Sequence, residues 1–169
     1  MQFETLHSEL LCSTDMIRSL LAGIGPEDAR VKPGGDSWSI LEVVCHLHDE
    51  EREDFREHLD FILHRQDEEY HRIDPQAWVV QRRYNDQDFE AAKERFFAER
   101  QQSLSWLEGL RNADWSMTYK AEWGEMSAGS MFASWLAHDN LHIRQLVELR
   151  RKWIEQITLP YEIGYAGEW

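Results

Sequence analysis

Cysteine is scarce, with only two in the chain. Cys12 and Cys45 stand far apart, and each lies in a segment whose apolar residues have helical spacing. This pattern excludes a disulfide framework and a cysteine-based zinc motif. We expect both residues to be free, buried thiols, which suits a reducing cytoplasm.

Positive charge is also scarce. The chain has 18 Lys and Arg residues against 32 Asp and Glu residues, which gives a net charge of -14. Binding to nucleic acid requires clustered Lys and Arg side chains, and attraction to an anionic membrane surface requires them as well. We therefore expect neither a nucleic-acid partner nor a membrane partner.

Long hydrophobic runs are missing too. No apolar segment approaches the roughly 18 residues that a membrane-spanning helix needs. The first ten residues lack the basic-then-apolar order of a signal peptide, so a cytoplasmic location is expected. A length of 169 residues fits one domain, and we predict a single domain over 1–169, with a helical part over about 3–153 and a C-terminal coil tail over about 154–169.

Apolar residues recur at helical spacing in four long segments. The sequence predicts helices over residues 3–22, 39–64, 86 or 88 to 111, and 127 (or a residue or two later) to 153. Ser39 and Glu42 form a capping-box pattern at the start of the second segment. A long connection is expected over 65–86, and residues 112–126, which include Trp123, give a weak hairpin signal. Four helices of this length predict an all-α four-helix bundle.

His138 and His142 lie four residues apart in the last predicted helix, which puts them on the same face. Apolar residues such as Trp135 and Leu149 continue that face in steps of three and four, so it should point into the core. Two inward imidazoles can share one metal ion, or each can form a hydrogen bond with a neighbour. The zinc-protease pattern is not present, because Asp139 rather than Glu follows the first histidine.

A third ligand would have to come from another helix, and the second helix offers His46, His48 and Glu50. Helical periodicity narrowly favours His48, which lies closer to the apolar stripe of that helix than His46 does. Glu50 follows His46 by one turn, but a single acidic residue in this charged helix is more typical of a solvated face. The residue pattern alone therefore leaves the third ligand open.

Residues 38–49, WSILEVVCHLHD, resemble the second-helix signature of the DinB/YfiT-like superfamily. That signature has a Trp, a small polar cap, a His-Leu pair eight residues after the Trp, and an Asp three residues later. Residues 135–146 resemble the last helix of the family, with His-x-x-x-His followed by Gln-Leu. The middle of the chain resembles the middle region of the family at Asp74, Trp78, Tyr84, Asn85 and Asp88. The resemblance covers about residues 3–153.

The resemblance implies a four-helix bundle, often described as up-down-down-up, and a metal triad at His46, His138 and His142. It thus favours His46 over the His48 that periodicity prefers. The implied cofactor is a divalent ion, for which Zn, Ni, Fe and Mn all suit imidazole ligands. Three protein ligands would leave coordination positions open, as in catalytic metal sites.

The family includes bacillithiol- and mycothiol-dependent enzymes, so the function that it implies first is a thiol-dependent S-transferase. In that mechanism a low-molecular-weight thiol, held on the metal as the thiolate, attacks a small electrophile. The alternatives are a metal-dependent hydrolase and a non-catalytic metal-binding or stress-induced dimeric protein. Asp49, Glu50 and Tyr84 are candidates for proton transfer, and Arg144 for binding the thiol. We expect a small-molecule substrate and a homodimer.

Overall fold

The computed structural model describes residues 2–69, 72–121 and 124–167. The helices are α1 Phe3–Leu21, α2 Pro26–Ala29, α3 Ile40–Glu50, α4 Arg56–His64, α5 Pro75–Gln81, α6 Phe89–Gly109 and α7 Ala128–Ile157. Single turns of other helix types are the π-helical turn Glu51–Phe55 and the 3-10 turns Tyr84–Asp86 and Gly164–Ala166. Strands β1 Thr118–Ala121 and β2 Gly124–Ser127 form an antiparallel pair.

The long helices form a four-helix bundle, which confirms the predicted fold class. Its members are α1, the α3–α4 helix with its π-helical turn, α6 and α7. The α1 helix packs against α7, and α3 packs against α6. In the part of the chain that the structure describes, no helix is both long enough and apolar enough to cross a membrane.

Polar caps begin three of the bundle helices. Ser39 and Glu42 form the predicted capping box, in which the Ser39 hydroxyl accepts from the Glu42 amide and the Glu42 carboxylate accepts from the Ser39 amide. The Asp88 side chain accepts from the amide of Ala91 at the start of α6, and Ser127 caps α7 in the same way. These side chains satisfy amide groups that a helix start leaves unpaired, and the predicted starts are confirmed.

Three details differ from the sequence-based expectation. The α7 helix continues to Ile157 instead of ending at Trp153, and the 65–86 connection contains the short helix α5, which Asp74 caps. Cys12 is exposed, so the expectation that it is buried is wrong, whereas Cys45 is buried and both thiols are free. The predicted hairpin is present as β1 and β2, although Trp123 lies outside the described residues.

A buried polar network centred on Arg100 connects all four bundle helices. Its guanidinium, 1% exposed, donates two hydrogen bonds to the Asp139 carboxylate, at 2.7 and 2.8 Å, and one to Glu51 at 2.8 Å. On α1, the Ser13 hydroxyl donates to Asp139 over 2.5 Å. Asp139 follows His138 directly in the sequence, so the network fixes the backbone beside one of the candidate ligands.

Candidate metal centre

His46, His138 and His142 come together at one point in the bundle. Each offers one ring nitrogen, and these three atoms lie within 4.8 Å of one another. The Nε2 atom of His138 lies 3.4 Å from that of His46 and 3.1 Å from that of His142. Residues from α3 and α7, 92 positions apart in the sequence, thus direct their ring nitrogens toward a common centre.

Aromatic side chains surround the three imidazoles. The Trp38 ring centroid lies 4.7 Å from that of His46 and 6.2 Å from that of His142, nearly parallel to the latter ring. On another side, the Phe55 ring lies 4.9 Å from the His138 ring. Phe55 is the last residue of the π-helical turn. Turns of this type often occur at functional sites.

Burial keeps the three histidines neutral. It lowers the pKa of His46 to about 2 and that of His138 to about 4. The His142 and His138 rings lower the pKa of His46 further, and the His142 ring lowers that of His138 further. Burial lowers the pKa of His142 as well. Each ring therefore carries one proton at pH 7 and keeps one nitrogen lone pair, which is the form that binds a metal ion.

The hydrogen bonds of the cluster indicate which nitrogen of His142 holds the proton. The side-chain oxygen of Gln145 lies 2.8 Å from Nδ1 of His142. An amide oxygen can only accept, so Nδ1 carries the proton and the lone pair is on Nε2, facing the other two rings. Converging Nε2 atoms at such short distances suit a divalent cation, which accepts one lone pair from each ring. The residues present therefore fit a metal ion.

The Glu50 carboxyl group lies beside the cluster. Its two oxygens are 3.8 Å from Nε2 of His46 and 3.7 Å from Nε2 of His138. Glu50 is buried, and burial raises its pKa to about 9, with a further rise from the neighbouring Asp54. The residue is therefore part of the buried site rather than of a solvated face, and in the metal-free protein it holds a proton at pH 7.

Asp49 and Tyr84 contact each other, but they line a cavity beside the histidine cluster rather than the cluster itself. The Tyr84 hydroxyl donates to Asp49 over 2.5 Å, and Arg82 donates to the same oxygen over 2.6 Å. Although burial opposes it, hydrogen bonds from His48, Tyr84 and Arg82 lower the pKa of Asp49 to about 2. The cavity that these residues line has a volume of about 360 Å³, and none of the three clustered histidines lines it.

His48 and Arg144 lie outside the cluster. His48 faces Asp49, with Nδ1 2.9 Å from the carboxylate. The Arg144 side chain is 75% exposed, and its Nε atom lies 3.8 Å from the Glu148 carboxylate. The structure thus brings His46 to the His138–His142 pair, as the family resemblance implied and the periodicity of α3 did not.

Comparisons with known proteins agree with this architecture. The family model of the DinB superfamily matches residues 10–146. Among solved structures, the chain is similar to YfiT from Bacillus subtilis, described as a probable metal-dependent hydrolase with an unusual four-helix bundle topology. That similarity has a TM-score of 0.77 at 14% sequence identity and covers 90% of this chain and 87% of YfiT. No curated protein matches the sequence.

Proposed function

The chain belongs to the DinB superfamily, and on that premise we propose that it is a metal-dependent hydrolase of a small molecule. His46, His138 and His142 hold a divalent ion through Nε2, and Zn, Ni, Fe and Mn all suit this ligand set. The observation that carries the proposal is the Glu50 carboxyl group, less than 4 Å from two of the three Nε2 atoms. It supplies the acid–base group that hydrolysis needs beside the ion.

In this proposal each residue has a separate task. A bound divalent ion supplies Lewis-acid chemistry, which activates water and polarises the bond to be broken. Glu50 accepts a proton from the attacking water at a carboxylate oxygen and then donates that proton to the leaving group. Its pKa, raised by burial in the metal-free protein, falls beside a cation, because an opposite charge favours the ionised form. Gln145 holds the His142 ring in the required tautomer.

A thiol-dependent S-transferase is the second candidate. The observation in its favour is the aromatic wall of the cluster, since Phe55 and Trp38 lie against the imidazole rings. Apolar walls limit the access of water, which helps a thiol to compete with it as the nucleophile. Arg144, the expected thiol-binding residue, is exposed and next to Glu148, so this geometry gives the transferase less support than the hydrolase.

One set of assays separates these functions. The metal-free protein is loaded in turn with Zn, Ni, Fe and Mn and incubated with a panel of small esters, amides and lactones, with or without glutathione, bacillithiol or mycothiol. We expect hydrolysis without any thiol. Products that form only with a thiol and carry it in their mass identify the transferase instead. No product under either condition contradicts both and favours a non-catalytic, stress-induced metal-binding protein. The expected homodimer stays a prediction.

A further inference from the structure

The cavity beside Asp49 and Tyr84, of about 360 Å³, has more cations than anions in its lining. Its charged lining residues are Asp49, Glu53, Arg52, Arg82 and Arg95. Three guanidinium groups thus face two carboxylates, in a chain whose net charge is -14. His48, the remaining basic residue of the lining, can only add to this excess. A cleft with an excess of positive charge attracts anions.

Hydrogen bonds within the lining pair both carboxylates with two of the three cations. Arg82 donates to Asp49 over 2.6 Å and to the two oxygens of Glu53 over 3.0 and 2.7 Å. Arg52 donates to Glu53 as well. Both carboxylates are therefore already neutralised from within the lining, and neither is bound to Arg95.

Arg95 is the cation that lacks a carboxylate partner. Its guanidinium donates to the side-chain oxygen of Gln87, a neutral group, over 2.5 Å. Glu99, one turn further along α6, binds Arg56 instead. In the described part of the chain, no carboxylate oxygen lies within 4 Å of the Arg95 guanidinium nitrogens. A guanidinium has five N–H donors, so most of those of Arg95 are available to a ligand.

We propose that this cavity is a second binding site, which takes a small carboxylate at Arg95. The planar guanidinium matches a carboxylate, to which it can donate two parallel hydrogen bonds. The volume is at the low end of small-molecule sites, roughly 300–1,000 Å³, so a ligand of about the size of benzoate fits. Uncharged lining residues, among them Cys45 and Ala92, face the body of the ligand. Burial raises the pKa of Cys45 to about 12, so its thiol adds no negative charge at pH 7.

The proposed site lies on a different side of α3 from the histidine cluster. Cys45 and Asp49, one turn apart, line the cavity, whereas His46 and Glu50, also one turn apart, belong to the cluster. Adjacent positions on a helix are about 100° apart around its axis. A carboxylate in the cavity therefore leaves the converging Nε2 atoms free, and its binding does not depend on the metal.

An NMR titration of the metal-free, full-length protein with benzoate, at constant ionic strength, tests the site. We expect saturable shifts that are largest for the backbone amides of Arg95, Ala92 and Gln87. The neutral benzamide should bind about tenfold more weakly, because a hydrogen bond between charged groups is stronger than one to a neutral group. Arg95→Gln should weaken benzoate binding about fivefold, the upper range for an exposed ion pair. Arg111→Gln, which removes an exposed guanidinium beyond the other end of α6, should leave it unchanged.

Gln87→Glu tests the charge argument while Arg95 stays in place. The new carboxylate takes the position of the neutral amide oxygen and pairs with Arg95, so benzoate binding should fall about as far as in Arg95→Gln.

The proposal is overturned if the shifts do not saturate, if benzamide binds as tightly as benzoate, or if Arg95→Gln or Gln87→Glu binds benzoate as the wild type does. An equal loss in Arg111→Gln also overturns it. Shifts that are largest at His46, His138 and His142 would place the ligand at the histidines and contradict it as well. Benzoate binding is measured without metal or turnover, so its failure leaves the hydrolase proposal intact.

Discussion

The side-chain oxygen of Gln145 lies 2.8 Å from Nδ1 of His142, three residues earlier in α7. This contact holds the proton of the His142 ring on Nδ1 and leaves the lone pair on Nε2, the nitrogen that faces the other two histidines. Partners of this kind orient a ligand ring and raise its basicity, and their loss commonly costs roughly 10–100-fold in metal affinity. The Gln145–His142 pair is thus part of the candidate metal centre.

Replacing Gln145 by Leu should therefore weaken Zn binding about tenfold or more, because His142 loses the acceptor that fixes its tautomer. Competition with a chelating dye measures the affinity. Gln101→Leu makes the same change at an exposed position of α6 and should leave the affinity unchanged. Equal affinities for Gln145→Leu and wild type would show that the contact does not orient a metal ligand.

Arg100 is the cation between two buried carboxylates, those of Glu51 and Asp139. Arg100→Met leaves both buried carboxylates without a cation and should lower the free energy of unfolding by about 3–5 kcal/mol. Urea denaturation of the metal-free protein measures this loss. Arg144→Met removes an exposed cation beside Glu148 and should cost less than about 1 kcal/mol. Similar losses for the two variants would contradict the structural role of Arg100.

The buried histidines make the metal-free protein sensitive to acid. An unfolded histidine takes up a proton below its ordinary pKa of about 6.5, whereas His46 and His138, with pKa values of about 2 and 4, stay neutral. Stability therefore falls as the pH falls from 6.5 toward these values, by about 2 kcal/mol for each histidine between pH 6.5 and 5.0. Glu50 has the opposite effect. The unfolded residue loses its proton above about pH 4.5, whereas the folded residue, with a pKa of about 9, keeps it, so stability falls as the pH rises through this range.

The sum of these effects is a loss of about 2 kcal/mol in the free energy of unfolding between pH 6.5 and 5.0, because Glu50 offsets about one histidine. Urea denaturation at the two pH values checks this. In His46→Gln the loss should nearly disappear, and in His64→Gln, at an exposed site next to Asp60, it should remain. A loss that is the same in all three proteins would rule out titration of the cluster as its cause.

Glu50 is the proposed acid–base group, so Glu50→Gln should keep the metal and lower the rate of hydrolysis at least about 100-fold. Elemental analysis and the assay on the best substrate of the panel measure the two effects separately. Glu94→Gln, at an exposed position of α6, should match the wild type in both. A Glu50→Gln variant with the wild-type rate contradicts the proposed role.

Sequence patterns predicted the helices well because their caps and apolar stripes are local features. Periodicity failed for His46 because α3 is buried on almost every side, with Ile40 to Leu47 all inaccessible. A prediction from apolar periodicity assumes that a helix has one buried face, and it therefore fails to show which residues of an almost fully buried helix face the site. The π-helical turn is not among the sequence-based expectations, although Leu47 and Phe55, successive residues of the apolar stripe, lie eight positions apart. That gap fits a helix with one extra residue in this turn.

The contacts of the site depend on distant residues and were harder to predict. Arg100 occupies a core position of α6, four residues from both Phe96 and Leu104, but the sequence does not show which carboxylates it meets. Gln145 lies three residues after His142, a spacing that allows contact on one helix face. Nearness in sequence to His142 makes Arg144 a candidate, yet residues two positions apart on a helix point in different directions, and its side chain is exposed.

The metal content of the purified protein and its variants tests the central claim most directly. After loading with excess Zn and removal of unbound ions, elemental analysis should find one ion per chain in the wild type and in His64→Ala. It should find almost none in His46→Ala, His138→Ala and His142→Ala, because two imidazoles hold the ion far more weakly than three. A His138→Ala variant that keeps the stoichiometric metal of the wild type would contradict the three-histidine centre.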